Sequence, residues 1–85
     1  MAMFVIERNF AEQLQLSTES VRLVGEINSQ LGVHWLFSFL SADKKKTYCL
    51  YEAPHPEAIR EAARRANLPA DVIVEVTDVR PEAFQ

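Results

Sequence analysis

Hydrophobic and polar positions follow two different rhythms along this chain, and the changes of rhythm mark the elements. Met3 to Arg8 (MFVIER) is β-branched and aromatic before it turns charged, which predicts a first strand. Asn9 to Leu16 is a polar connection with Glu12 and apolar residues that lean on the core. Ser17 or Thr18 can cap a helix, and Glu19 falls in its first turn, where the dipole favours an acid. Val21, Val24, Ile27 and Leu31 then recur at helical spacing with Leu23 beside them, while Arg22, Glu26, Asn28 and Gln30 take the other face. Gly32 supplies a left-handed stop. Gly25 lies mid-helix, at a cost of about 1 kcal/mol against alanine, and close packing is the expected reason.

Val33 to Pro54 (VHWLFSFLSADKKKTYCLYEAP) reads as a hairpin, two strand-like runs around a polar break at 42–45, and it forms half of a four-stranded sheet. It holds the only Trp, the only Cys and both Tyr. A loop of two or four residues centred on Asp43-Lys44 sets Ser38 opposite Cys49, Phe37 opposite Leu50 and Trp35 opposite Glu52. Side chains alternate between faces. Trp35, Phe37, Phe39, Tyr48 and Leu50 share the more apolar face, expected to pack on the helices. His34, Leu36, Ser38, Leu40, Thr47, Cys49 and Tyr51 share a mixed face. After Ala53-Pro54-His55-Pro56, a second helix runs over 57–66, with Pro56 suited to its first position, a narrow face of Ile59, Ala62, Ala63 and Ala66, and Asn67 as end cap before Pro69. Asp71 to Val79 alternates as a last strand, and 80–85 is a tail.

The order β-α-β-β-α-β with right-handed crossovers gives an α+β, ferredoxin-like sandwich: a four-stranded antiparallel sheet with both helices on one face. At 85 residues, 1–85 is one domain. A chain this short buries roughly 60–65% of its unfolded surface, so a second copy would help it. The mixed hairpin face, uncovered within the chain, is the expected pocket or dimer face, with Leu36, Ser38, Leu40 and Tyr51 on it. A homodimer is expected.

Composition narrows the function classes. A net charge of −3 argues against a general nucleic-acid partner. The apolar runs are too short to span a membrane, no leader sequence is evident, and one cysteine cannot form an internal disulfide. A cytoplasmic domain is expected. His34, Cys49, Tyr51 and Glu7 are the polar groups most able to meet near the sheet, and imidazole, thiolate and carboxylate suit nickel, zinc or copper. Their spacing matches no compact metal motif, and the plain alternative is a structural thiol and a solvated histidine. Cys49 as a nucleophile needs a base nearby, and His34 stands several residues along the neighbouring strand. His55 reads as a solvated turn residue, Lys44-Lys45-Lys46 as a solvated hairpin tip. Arg60, Arg64 and Arg65 form a row that pairs with Glu57 and Glu61 or meets an acidic partner. No phosphate loop or serine-hydrolase elbow is present.

The run Tyr48-Cys49-Leu50-Tyr51-Glu52-Ala53-Pro54, preceded by Trp35 and Ser38 and followed by Ile59-Arg60-Glu61, resembles small bacterial nickel-binding proteins of ferredoxin-like fold. Phe4 to Arg8 is similar to that family's first strand, and 63–71 to its second helix and exit. The resemblance covers nearly the whole chain. It implies a dimeric domain and, for some members, bound nickel. Phe37 stands where the family often has His or Gln, and Ala62 where it often has His. The expected function is therefore a small homodimeric binding protein for a metal ion or small ligand, with nickel affinity weakened or lost. A cofactor-free oxygenase or isomerase, with Trp35, Tyr48, Tyr51 and His34 lining a pocket, is the rival reading. A regulatory module using the arginine row is a third.

Overall fold

Strand-forming runs at both ends of the chain and a central hairpin assemble one sheet in the computed structural model, which describes residues 1–84. Strands β1 (Ala2–Asn9), β2 (His34–Leu40), β3 (Lys46–Ala53) and β4 (Val72–Val76) alternate with helices α1 (Thr18–Gln30) and α2 (Pro56–Ala66), and a 3-10 turn spans Pro81–Phe84. The strands lie in the order β2-β3-β1-β4, all neighbours antiparallel. Both helices cover one side. This is the α+β ferredoxin-like arrangement. The last strand is shorter than its alternation suggests, because pairing with β1 ends at Val76 opposite Met3. Gln85, the end of the expected tail, lies outside the described residues.

Local chemistry sets each boundary. Ser17 caps α1: its hydroxyl accepts from the backbone N–H of Ser20, whose side chain accepts in return from the Ser17 N–H. His55, exposed ahead of the helix as expected of a solvated turn residue, also caps α2, its Nδ1 accepting from the Ala58 N–H at 3.2 Å. Pro56 takes the first helical position, and Asn67 ends the helix with a left-handed φ of 56°. The hairpin closes over a four-residue loop, 42–45, with Lys44 left-handed at φ 63°. Asp43 fixes it by accepting from the Ser41 hydroxyl and the Lys45 N–H, which hold its carboxyl below the usual range.

The two helices pack unequally. α2 presses Ala58, Ile59, Ala62 and Ala63 into the sheet, where Ile59 meets a core of Phe4, Ile6, Tyr51 and Ala53. Its small side chains permit the close approach. α1 buries only Asn28; Val24 and Ile27 are half-buried, and Val21 and Leu23 are exposed. Close packing does not explain Gly25: a Cβ built there meets nothing within 4 Å.

The faces of the hairpin are the reverse of the sequence expectation. Thr47, Cys49, Tyr51 and Ala53 point under the helices, together with Phe4, Ile6 and Arg8 of β1. Phe37, Phe39, Tyr48 and Leu50 point to the open side with Val5 and Val74. The predicted pairs Ser38–Cys49 and Phe37–Leu50 stand, but a bulge between Trp35 and Phe37 places Trp35 opposite Tyr51 and His34 opposite Glu52. The extra residue is Leu36. It carries Trp35 to the helix side and His34 to the open side.

The contrast between the two glycines is testable by thermal or urea unfolding. Gly25→Ala should stabilise the protein by about 0.5–1 kcal/mol, because the helix gains propensity and nothing is displaced. Gly32→Ala should destabilise it by about 1 kcal/mol, because φ at Gly32 is +69°.

Candidate functional site

The loose seating of α1 leaves a cavity of about 300 Å³ between it and the sheet. Thr47, Cys49 and Tyr51 of β3 and Arg8 of β1 form its floor. Trp35, Ser38 and Leu40 of β2 form one wall. Val21 and Val24 of α1 roof it, and Phe10 and Leu14 of the first connection close it from the side. Exposed Gln15, Leu16 and Ser20 stand at its rim. The lining is dominated by carbon, with few polar groups in it, as in small-molecule sites.

Arg8 is the unusual member. It is in phase with Phe4 and Ile6 on the core side of β1, and only 3% of its surface is exposed. Nη1 donates to the Pro69 carbonyl and Nη2 to the Tyr51 hydroxyl at 3.4 Å. Its guanidinium carbon lies 5.8 Å from the Tyr51 ring centroid, within cation–π range. Tyr51 in turn stacks on Trp35, with centroids 6.4 Å apart and planes 11° from parallel. Trp35 Nε1 donates to Ser38 Oγ at 2.8 Å, which fixes the indole. Burial pushes the Tyr51 hydroxyl pKa up; the Arg8 charge opposes that rise without cancelling it. Asn28 is buried on α1, and its amide nitrogen has no hydrogen-bond partner among the described residues.

The residues expected to ligate a metal do not meet. Cys49 and Tyr51 are on the helix side; Glu7 is on the open side, 3.8 Å from Lys46 Nζ; His34 is on the open side opposite Glu52. Among the described residues no three His, Cys, Asp or Glu side chains group as a metal site. His34, Cys49, Tyr51 and Glu7 therefore do not form one coordination sphere within the chain. Cys49 is buried, its thiol donating to Thr47 Oγ1 at 3.6 Å, and His34 is on the wrong face to act as its base. Of the expected pocket or dimer face, Ser38, Leu40 and Tyr51 line the cavity, and Leu36 is exposed at the bulge. Tyr51, 3% exposed, lies under the helices and cannot belong to an open dimer face. Of the aromatic and histidine set considered for an enzyme pocket, Trp35 and Tyr51 line the cavity; Tyr48 lies over a shallow apolar depression on the open side. The arginine row is paired: Arg60 to Glu57, and Arg64 and Arg65 to Glu61, whose pKa they hold down at about 2.

The profile of one family, described as nickel responsive protein, SCO4226-like, matches residues 4–76. The chain belongs to the SCO4226-like family of nickel-responsive proteins. That match spans all four strands and both helices, so the cavity and the open face are both parts of the family's domain. Among solved structures, SCO4226 from Streptomyces coelicolor A3(2) is similar with a TM-score of 0.71 and 22% identity, covering 93% of this chain and all of that one. At that identity the likeness shows the SCO4226-like fold. No curated protein matches the chain. Of the two positions where the resemblance implies a histidine or glutamine, Phe37 is on the open face, and Ala62 is buried where α2 meets the core. No helix is long and apolar enough to cross a membrane among the described residues.

Arg8 escaped the reading of the sequence, although one signal marks it: an arginine in strict alternation with Phe4 and Ile6, where a core residue is due. The environment of Tyr51 can be checked by alkaline titration. Its pKa is raised in the folded chain, so the neutral form is favoured there. Stability should be full below pH 10, the ordinary tyrosine value, and fall as pH rises through and beyond it. Tyr51→Phe should remove this alkaline loss and cost about 1 kcal/mol at neutral pH, through the hydrogen bond from Arg8. Unfolding curves at pH 7 and above pH 10 measure both.

Proposed function

We propose that the chain is a homodimeric binding protein that pairs through the open face of its sheet and that a single protomer binds nickel no better than its surface side chains allow. One observation carries the pairing: a continuous apolar face with no layer over it. Phe37 is 50% and Phe39 66% exposed, edge to face at 5.5 Å, and Tyr48, Val72 and Val74 continue the patch. Strand geometry gives the face a footprint of about 20 by 24 Å, roughly 500 Å², at the upper end of the apolar patches that monomers carry. Covering the exposed parts of these five side chains is worth about 1 kcal/mol each. A second copy fits because a two-fold contact sets the same patch against itself. Polar side chains bound the patch, with Glu7 and Lys46 at one end of the strands and His34 and Glu52 at the other.

The nickel part rests on donor placement. A buried thiol under the helices and a carboxylate and imidazole on the other side of the sheet do not make one coordination sphere. The family's nickel response supports metal as the stimulus, but this chain's ligands would have to come from more than one protomer.

Native mass spectrometry at micromolar concentration tests both parts. The protein should be dimeric, and Phe39→Glu, at an exposed position, should be a folded monomer that retains no stoichiometric nickel. A monomeric wild type contradicts the pairing. A Phe39→Glu monomer that holds one nickel tightly contradicts the donor argument.

A further inference from the structure

Arg8 carries a full charge at the bottom of an apolar cavity, and nothing acidic answers it. Its two bonds go to a carbonyl and a phenol, and it forms no ion pair among the described residues. Glu7 points to the other side of the sheet, and the Asp71 carboxylate, which accepts from the Asn9 N–H at 2.7 Å, forms no ion pair with Arg8. Removing a guanidinium from water without a counter-charge is unfavourable. A planar donor fork in such a place is matched by a carboxylate, which it can bind through two parallel hydrogen bonds. A guanidinium has further N–H donors beyond the two bonded here.

We propose that the cavity under the N-terminal half of α1 binds a small apolar monocarboxylic acid, with the carboxylate on Arg8 and the hydrocarbon end between Trp35 and Val24. The volume of about 300 Å³ admits about ten heavy atoms at liquid density, the size of an aromatic or medium-chain acid. The walls suit that end of the ligand: Trp35, Leu40, Val21 and Val24 offer only carbon and an indole whose N–H is already given to Ser38. The floor suits the other end, with Thr47 Oγ1 beside Arg8 as a second hydrogen-bonding group. A dicarboxylate or a phosphate is disfavoured, since one cation answers one charge. The exposed rim at Leu16 and Ser20 gives a way in. The assignment does not depend on pairing through the open face, which is the opposite side of the sheet.

Trp35 is the only tryptophan, so its fluorescence reports the cavity directly. Full-length protein titrated with benzoate, phenylacetate and hexanoate should show saturable change in Trp35 emission with at least one acid. The corresponding neutral alcohols should bind at least tenfold more weakly. Arg8→Gln should reduce that preference to less than twofold. Because Arg8→Gln also removes the bonds to Pro69 and Tyr51, Val24→Phe provides a second test: it fills the cavity from the roof, leaves Arg8 in place, and should weaken the acid at least tenfold. No response to any of the three acids, alcohols that bind as tightly as acids, or undiminished binding in Val24→Phe would each overturn the proposal.

Discussion

One extra residue in β2 decides which side of the sheet Trp35 and His34 take. Leu36 is inserted between Trp35 and Phe37, so the strand turns over at that point. Before the bulge Trp35 lies against Tyr51, and after it Ser38 lies opposite Cys49 and Phe39 opposite Tyr48. Without the insertion, the indole would share the open side with Phe37 and Phe39, and the stack of Trp35, Tyr51 and Arg8 would not form. The facing of the rest of the hairpin is set by the pairing of β3 with β1, where Cys49 stands opposite Ile6 and Tyr51 opposite Phe4 on the helix side.

The second constraint is the inequality of the helices. α2 is lined with alanine and settles onto β3 and β1, so that end of the sheet has a dry core of Ile6, Ile59 and Ala53. α1 carries larger, sparser apolar residues and buries only Asn28, so its N-terminal half stands clear of the sheet. The chain from Phe10 to Leu16 fills part of the gap and leaves the rest as the cavity. The arginine at the floor of that cavity spreads its charge over a guanidinium that lies over the Tyr51 ring and donates to the Pro69 carbonyl and the Tyr51 hydroxyl. The same arrangement withdraws Cys49 and Tyr51 from any metal on the outer face.

Much of the architecture is legible in the residues. Alternation in β1 and β3, helical spacing in α2, the Ser17, Pro56 and Asn67 signals and the tight hairpin loop all act within a few positions, and each places its element. The ferredoxin-like order follows from them. The facing of the hairpin is not legible in the same way, because both faces carry aromatic residues and the bulge has no glycine or proline to announce it. Hydrophobicity alone favours Phe37 and Phe39 as core; the fold instead buries Thr47, Cys49 and Tyr51, whose polar atoms find partners in each other and in Arg8. The metal grouping of His34, Cys49, Tyr51 and Glu7 depended on that facing and separates once the strand turns over. Ser38, Leu40 and Tyr51 share a face, as their alternation implies, but that face lies under the helices and not on the uncovered side where it was expected. Arg8 was hidden by its position at the end of a run that turns charged.

Nuclear Overhauser contacts in the isotopically labelled protein test the central claim most directly. The account expects contacts between the Trp35 and Tyr51 rings, between Tyr51 and the Arg8 side chain, and between the Phe37 and Phe39 rings on the opposite side. Contacts from Trp35 to Phe37 and Leu50 on one continuous face, with no Trp35 to Tyr51 contact, would show an unbulged strand and contradict it.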